Sequence, residues 1–255
     1  MITWLKNLFA SRDQQFLFLH IPKCAGTSVI SALSRVPHRK RMILSDSPQS
    51  KLAASKAVTD HCNGLGTSPD DLDLIMGHDV FLRLHESLGI AKQPFYFTFL
   101  RDPRERYLSH YHYLVACAQD KSHPLYNYAT DTVLQGGQVI GIQEFAQSGQ
   151  LGNVMTAYLA AANHPDLATK RWEVMDGQER ILLASEALKK MDFIGLVDSF
   201  AKDMKSICDL TGVPFSAPKK NQASARNRFR DLDATTQELI TRANQEDMIL
   251  YERAP

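Results

Sequence analysis

The distribution of apolar residues along the chain predicts a series of short, buried strands. The runs 16–19, 72–76 and 95–100 are largely apolar, and turn-forming or charged residues follow each of them. Short apolar runs with such boundaries are typical of parallel strands that are buried on both faces. Residues 181–184 and 193–197 fit the same pattern. Together these runs predict an α/β fold, with an open and mostly parallel sheet that helices flank.

Helical patterns follow these strands. Apolar residues recur at helical spacing in 200–210, which Gly212 ends, and again in 235–251. The region 119–170 contains the Gly136–Gly137 pair, which is a turn signal, but it contains no clear strand. We therefore expect this region to consist mainly of helices and loops that cap the sheet.

The first apolar run leads into a loop of small residues and then into a predicted helix. Pro22 ends the strand, and the segment 25–28 opens the helix. The N-terminus of a helix offers unpaired N–H donors and the positive end of a dipole, and Lys23 lies beside it. This layout suits a phosphate or sulfate group. An ordinary strand-to-helix turn is the alternative, since the loop lacks the GxxxxGK[ST] register of nucleoside triphosphatases.

A second strand-to-helix segment spans residues 95–113. Arg101 ends the strand, Pro103 lies near the first helical turn, and Ser109 follows Arg101 by eight residues. An arginine at a strand end presents a planar fork of donors to a phosphate, and a serine two turns into the helix adds a hydroxyl donor. The alternative is a surface pair between Arg101 and Asp102 with an ordinary helical serine.

Composition restricts the class of protein. The chain has 255 residues, of which 44% are hydrophobic and 22% are charged, and its net charge is +1. These values predict one globular domain over residues 1–255, in which 1–15 form an N-terminal extension. A nucleic-acid partner is not expected, because the chain has no clustered basic excess. Residues 1–13 are too short and too interrupted for a membrane span or a signal peptide, so we expect a cytoplasmic protein.

The cysteines and histidines do not predict a metal site. His110 and His112 lie two apart on a helix and so face different directions, which favours roles in packing or solvent exposure. The loop N–H groups are able to lower the pKa of a thiol at Cys24, but we assign this residue no catalytic role and expect it to fill space. Four widely spaced cysteines contain no CxxC pair and are expected to be reduced thiols: Cys24, Cys62, Cys117 and Cys208.

Two segments together carry a family resemblance. HIPKCAGTS (20–28) resembles the 5′-phosphosulfate loop, and LRDPRERYLSHYHY (100–113) the 3′-phosphate segment, of sulfotransferases that use 3′-phosphoadenosine 5′-phosphosulfate (PAPS). The similarity is greatest to the carbohydrate group typified by heparan sulfate 2-O-sulfotransferase. LIMGHDVF (74–81) resembles the segment of that group that carries the catalytic base, which places this role on His78. The resemblance covers 16–115 and is thinner beyond, and it implies the P-loop-like sulfotransferase fold.

The resemblance implies a role for each matching residue. His78 would be the general base on the acceptor hydroxyl, and Lys23 would stabilise the leaving phosphate. Arg101 and Ser109 would hold the 3′-phosphate. Lys220 and Arg226, in a late basic segment, are further candidates for nucleotide binding without a residue-level motif match. The 5′-phosphosulfate would lie against a loop made of Lys23, Cys24, Ala25, Gly26, Thr27 and Ser28.

The implied partners are PAPS as co-substrate and a carbohydrate or glycolipid acceptor, with no metal ion. Acceptor specificity is expected to reside in 119–170. Two alternatives stay open. A nucleotide kinase would also use a strand–loop–helix phosphate site, but it would need the GKS/T register and a magnesium-holding carboxylate. A catalytically inactive nucleotide-binding protein would keep Arg101 and Ser109 and tolerate the loss of His78.

Overall fold

A parallel sheet of five strands forms the centre of the computed structural model, which describes residues 14–34, 41–44, 51–164, 175–212 and 228–254. The spatial order of the strands is β2-β3-β1-β4-β7, so β1 lies in the middle of the sheet. A separate antiparallel pair, β5 and β6, lies outside this sheet. The strands are β1 Gln14–Leu19, β2 Arg41–Leu44, β3 Leu74–Gly77, β4 Gln93–Leu100, β5 Leu134–Gln135, β6 Gln138–Val139 and β7 Phe193–Leu196.

Helices cover both faces of the sheet, and two short 3₁₀ turns lie at Pro69–Asp71 and Phe229–Asp231. Within the described residues the helices are α1 Gly26–Leu33, α2 Lys51–Gly64, α3 Leu84–Ser87, α4 Pro103–Ala118, α5 Tyr126–Val133, α6 Ile142–Gln147, α7 Val154–Asn163, α8 Gly177–Lys189, α9 Phe200–Thr211, α10 Ala234–Ala243 and α11 Gln245–Glu252.

The alternation of side chains along β1 divides the core into two layers. Phe16 and Phe18 point toward α1 and α9, where they pack in one buried cluster. Leu17 and Leu19 point to the opposite face and pack in a second cluster with residues of α2, α7 and α8. Both faces of the strand are therefore apolar, which explains why its sequence is a continuous apolar run rather than an alternating one.

The register of the strands brings the candidate residues to one edge of the sheet. Leu19 at the end of β1 pairs with Gly77 at the end of β3 on one side and with Thr98 of β4 on the other. Because all three strands run in the same direction, the residues that follow them meet beyond the same edge. The loops after β1, β3 and β4 carry Lys23, His78 and Arg101, respectively.

The predicted strands at the centre of the sheet are confirmed, but the strand predicted at 181–184 is wrong. These residues lie inside α8, which packs mainly against α7. Ala184, Ala187 and Leu188 are buried at helical spacing, whereas Leu182 is 59% exposed. A short apolar run cannot be assigned to a strand or a helix from periodicity alone, and here helix packing determines the outcome.

Three further features differ from the prediction. The helix predicted at 235–251 is two helices, α10 and α11, which meet at Asn244. The edge strand Arg41–Leu44 was not predicted, and half of its residues are exposed. The region 119–170 is largely helical where it is described, as expected, but its Gly136–Gly137 turn joins two short strands. Both glycines have positive φ, which a tight turn of this kind requires.

Candidate active site

The loop between β1 and α1 leaves the first turn of a helix open to solvent. Lys23 and Ala25 adopt left-handed backbone conformations, with φ of 67° and 61°. Ala25 is the N-cap residue of α1, and no side chain caps this helix end. The N–H of Ser28 donates to the oxygen of Ala25 at 2.9 Å, whereas the first N–H groups of the helix, those of Gly26 and Thr27, have no carbonyl partner within it. Thr27, in the same turn, is exposed. The loop therefore presents backbone donors and hydroxyls to a ligand.

Cys24 faces away from this opening. Its side chain is 1% exposed and belongs to the apolar cluster beneath the sheet edge. Burial raises the pKa of the Cys24 thiol to about 12, so the loop does not lower it overall. The loss of hydration outweighs the favourable charges of Arg106 and Arg101. Cys24 fills space, as the sequence suggested, and contributes only its backbone to the loop.

His78 is held at the end of β3 in a defined orientation. Its Nδ1 atom lies 2.6 Å from the backbone oxygen of His20. A carbonyl oxygen only accepts hydrogen bonds, so Nδ1 carries the proton and Nε2 keeps its lone pair when the ring is neutral. The ring stacks on that of His20 at a centroid distance of 4.1 Å, and Tyr158 contacts it edge-on at 5.8 Å.

Lys23 connects the loop to helix α4. Its ammonium group lies over the ring of Tyr113, with 3.9 Å between Nζ and the ring centroid, which is a cation–π contact. Its backbone oxygen accepts a hydrogen bond of 3.4 Å from Nη1 of Arg101. The guanidinium group that follows β4 thus lies directly beside the loop that follows β1.

Arg101 lies two residues before α4, and Glu105 and Ser109 lie four residues apart on one face of that helix. Nη2 of Arg101 lies 3.9 Å from Oε2 of Glu105, and Ser109 is half-buried one turn further along. A carboxylate that the sequence analysis did not weigh therefore lies next to the arginine. The expectation that Arg101 and Ser109 hold one phosphate stays a prediction.

The N-terminus of α4 differs from that of α1 because a side chain caps it. Asp102 accepts hydrogen bonds from the backbone N–H groups of Arg104, at 2.9 Å, and Glu105, at 3.4 Å. Burial acts to raise the pKa of Asp102, but hydrogen bonds and charge from Arg104 hold it below its usual value. This carboxylate occupies the anion-binding position of the helix end.

His110 is closer to the site than the sequence suggested. Burial lowers the pKa of His110 to about 3, and the positive charges of Arg106 and Lys23 act in the same direction. Its Nδ1 atom lies 3.3 Å from Nη1 of Arg106. His110 therefore stays neutral at neutral pH and lies on the inner side of α4. That His110 and His112 do not share a metal site stays a prediction from the geometry of a helix.

A buried charge pair beneath α4 was missed by the sequence analysis. Arg106 and Asp247 are both fully buried, with 3.8 Å between Nε and Oδ2. Nη2 of Arg106 also donates to the backbone oxygen of Leu151 at 2.6 Å and to Oδ1 of Asn244 at 3.4 Å. Burial lowers the pKa of the arginine and raises that of the aspartate, and the charge of each opposes the shift of the other.

Asp247 also determines where helix α7 begins. Its carboxylate accepts hydrogen bonds from the backbone N–H groups of Met155, at 3.1 Å, and Thr156, at 2.7 Å, and from the Thr156 hydroxyl at 2.8 Å. Tyr158, which contacts His78, lies in the same turn of this helix. The pair thus fixes α4 and α7 on either side of the candidate base. The only sequence signal was an arginine and an aspartate in otherwise amphipathic helices.

The late basic segment lies only partly in the described structure. Lys220 and Arg226 fall outside the described residues. Just after them, the backbone N–H of Phe229 donates to Oε1 of Glu105 at 3.2 Å, and Arg104 lies over the Phe229 ring at 5.0 Å. The chain therefore returns to α4 next to Arg101 immediately after the basic segment.

The described residues contain no group of three or more histidine, cysteine, aspartate or glutamate side chains with the geometry to hold a metal ion. None of the described helices combines the length and the apolar character that crossing a membrane requires.

Comparison with known proteins identifies the class. The model of the family described as the sulfotransferase family matches residues 6–252, which is nearly the whole chain. The chain therefore belongs to the sulfotransferase family, and its five-stranded parallel sheet with flanking helices agrees with that fold. No curated protein sequence matches the chain.

Proposed function

We propose that the protein transfers the sulfuryl group of PAPS to a hydroxyl group of a carbohydrate or glycoconjugate. Membership of the sulfotransferase family supports sulfuryl transfer in general. The observation that carries the finer proposal is the pairing of His78 with the backbone oxygen of His20. This bond orients a neutral imidazole, in which Nε2 rather than Nδ1 carries the lone pair, next to the loop that is suited to an anion.

The residues present fit the two charged ends of the donor. The open first turn of α1 supplies backbone N–H groups and the Thr27 hydroxyl to the 5′-phosphosulfate. Arg101, beside the same loop, supplies a two-pronged donor to the 3′-phosphate, and Ser109 adds a hydroxyl. PAPS supplies a sulfuryl group bonded to a phosphate that leaves as 3′-phosphoadenosine 5′-phosphate.

His78 and Lys23 have complementary roles in the proposed reaction. Nε2 of His78 takes the proton of the acceptor hydroxyl while the acceptor oxygen bonds to sulfur. The bond between sulfur and the bridging oxygen of the phosphate breaks, and Lys23 stabilises the negative charge that develops on that oxygen. In the structure its ammonium lies over the Tyr113 ring, and the proposed role requires this flexible side chain to move from the ring to the phosphate.

Two tyrosines support a sugar as acceptor. Tyr113 lies beneath Lys23, and Tyr158 contacts His78. Tyrosine rings offer a flat apolar face with a polar end, which suits the alternating apolar and hydroxyl surfaces of a sugar ring. Tyr158 lies in the 119–170 region, and its contact with the proposed base supports a role for this region in acceptor binding.

The test of the proposal is transfer of label from PAPS that carries radioactive sulfur. The protein and labelled PAPS are incubated in the presence of a chelator with a panel of polysaccharides, glycolipids, small alcohols and tyrosine peptides. The radioactivity in each acceptor is then counted. We expect label in a carbohydrate fraction, and none with the His78→Asn variant. Label in peptides alone would contradict the acceptor class. Magnesium-dependent transfer of phosphate from labelled ATP, without sulfate transfer, would replace the proposal with the kinase alternative.

A further inference from the structure

The side chain of His20 lies between the anion-binding loop and the candidate base. Its ring stacks on His78, with a centroid distance of 4.1 Å and an interplanar angle of 20°. On the strand side it stacks on Phe18 at 5.9 Å. It also covers Gly26, the first residue of α1, so closely that a Cβ atom there would come within 1.7 Å of Cδ2 of His20.

The backbone of His20 forms hydrogen bonds with the end of β3 and with His78. Its N–H donates to the oxygen of Gly77 at 2.9 Å, and its oxygen accepts the bond of 2.6 Å from His78 Nδ1. The peptide groups of His20 therefore fix the start of the His78 loop, and the ring fixes the plane of the imidazole. One residue contacts both the donor loop and the base.

His20 is poorly suited to be the base itself. Burial and the nearby His78 and Lys23 lower the pKa of His20 to about 3, so it stays neutral and accepts a proton weakly. The charged or titratable groups around the pair are Lys23 of the loop and His110 of α4, with Tyr158 of α7 at the edge of His78. A neutral ring stacks on His78 without charge repulsion.

We propose that His20 is a positioning residue whose ring sets the plane of the His78 imidazole relative to the N-terminus of α1. This inference rests on the proposed function, because it assigns His78 as the base. The ring of His20 acts as a spacer of fixed thickness between Gly26 and His78. It thereby fixes the separation of the proton acceptor from the site where the 5′-phosphosulfate binds.

The first test compares His20→Ala with His20→Phe. We expect the alanine variant to lose roughly ten- to a hundred-fold in turnover, the range for a small misplacement of a reacting group. Its affinity for 3′-phosphoadenosine 5′-phosphate should stay near the wild-type value. Phenylalanine keeps a flat ring without nitrogens and should retain most of the turnover. Equal losses in both variants would show that the imidazole nitrogens are needed, and would overturn the spacer role.

A double-mutant cycle with Gly26 makes the test specific. Gly26→Ala should lower turnover in the wild-type background, because the new methyl group displaces the His20 ring. In the His20→Ala background the space is open, so the same substitution should have little further effect. Independent, additive losses would contradict a contact between the two residues that matters for turnover.

A second readout needs no turnover. The ring nitrogens of His78 are followed by NMR in protein with nitrogen-labelled histidine, and the signal is assigned through its absence in His78→Gln. We expect the Nδ1-protonated form in wild type, His20→Phe and His20→Ala, because each keeps the backbone oxygen of residue 20. Cross-relaxation between the ring protons of His78 and Tyr158 reports the plane of the His78 ring, and we expect it to be similar in wild type and His20→Phe and weaker in His20→Ala. Unchanged cross-relaxation in His20→Ala would overturn the inference. If sulfuryl transfer is not found but the cross-relaxation changes, the proposed function fails and the positioning role of His20 stands.

Discussion

The two strand-to-helix crossings at the sheet edge bind anions, in our account, by opposite means. The helix after β1 begins at Gly26 behind a left-handed Ala25, and no side chain caps it. The helix after β4 begins at Pro103, and the Asp102 carboxylate caps it. An open helix end attracts an anion through its backbone, whereas a capped end already holds a negative charge.

This difference explains why the two crossings carry different side chains. The first offers its backbone N–H groups and the exposed Thr27, and its Gly26 leaves room for the His20 ring. The end of the second helix is occupied by Asp102, so the phosphate site that we propose there consists of side chains, namely those of Arg101 and Ser109. Substitution of a side chain should therefore affect the second crossing more directly than the first.

The largest expected effect concerns His78, the proposed general base. His78→Ala should lower turnover by roughly 10²–10⁴-fold, the range for the loss of a positioned general base. Binding of 3′-phosphoadenosine 5′-phosphate, measured by calorimetry, should be retained. Turnover near the wild-type level would remove His78 from the mechanism.

Lys23→Ala and Arg101→Ala should differ in which quantity they lower, turnover or nucleotide affinity. We expect a loss in turnover that exceeds the loss in nucleotide affinity, because the ammonium acts where charge develops. Tyr113→Phe is the matched control for the contact with Lys23, since it keeps the ring under the ammonium and should leave nucleotide affinity nearly unchanged. If Lys23→Ala weakens nucleotide binding alone, its role is that of a binding residue.

The next largest effect concerns the affinity for the nucleotide. Arg101→Ala should weaken binding of 3′-phosphoadenosine 5′-phosphate by roughly ten- to a hundred-fold, equivalent to about 1.5–3 kcal/mol for a charge-assisted contact. Binding of adenosine 5′-phosphate, which lacks the 3′ group, should change little. Arg104→Ala is the control on the same helix, because Arg104 contacts Asp102 and Phe229 instead. An Arg101→Ala variant that still discriminates the two nucleotides would refute the second phosphate site.

The caps themselves can be compared through stability. Asp102→Ala should lower the free energy of unfolding by about 0.5–2 kcal/mol, the effect of a lost N-cap, whereas Thr27→Ala should change it by less than about 0.5 kcal/mol. The folded state holds the pKa of Asp102 below its usual value. Its contribution is therefore complete above the unfolded pKa and is lost as the pH falls through the folded value. Urea unfolding at neutral and acidic pH checks this, and an Asp102→Ala deficit that persists at strongly acidic pH contradicts it.

The smallest expected effect concerns Glu105, which lies 3.9 Å from Arg101 at the proposed 3′-phosphate site. Glu105→Gln removes a negative charge next to a phosphate and should tighten nucleotide binding up to about five-fold, as exposed pairs contribute about 0.2–1 kcal/mol. The effect should shrink at high salt. Weaker binding by the variant would contradict this expectation, because the amide oxygen of glutamine can still accept the bond from the Phe229 backbone.

The centre of the fold could be predicted because its signals are local. Strands β1, β4 and β7 contain mainly apolar runs. The starts of α1 and α4 are marked by residues that are typical of a helix start, such as Pro103. The error at 181–184 arose because Leu182 counts as apolar in a run but is exposed in the helix. Only the packing of α8 on α7 distinguishes a helix from a strand at these positions.

What the sequence could not show depends on contacts between distant segments. Arg106 and Asp247 are 141 positions apart, yet they form one buried pair. Asn244 ends a helix because its amide donates to the oxygen of Ile240 and accepts from Arg106. The stack of His20 on His78 likewise depends on the adjacency of β1 and β3. Such pairs have no periodicity that a single sequence reveals.

The most direct test of the central claim is the effect of nucleotides on thermal unfolding in the presence of a chelator. At one hundred times its dissociation constant a ligand stabilises by about 2.7 kcal/mol, which corresponds to about 5–10 °C in Tm for a protein of this size. We predict this shift for 3′-phosphoadenosine 5′-phosphate without magnesium, and a much smaller shift for adenosine 5′-phosphate. Stabilisation by ATP with magnesium, and none by the 3′,5′-bisphosphate, would contradict the account.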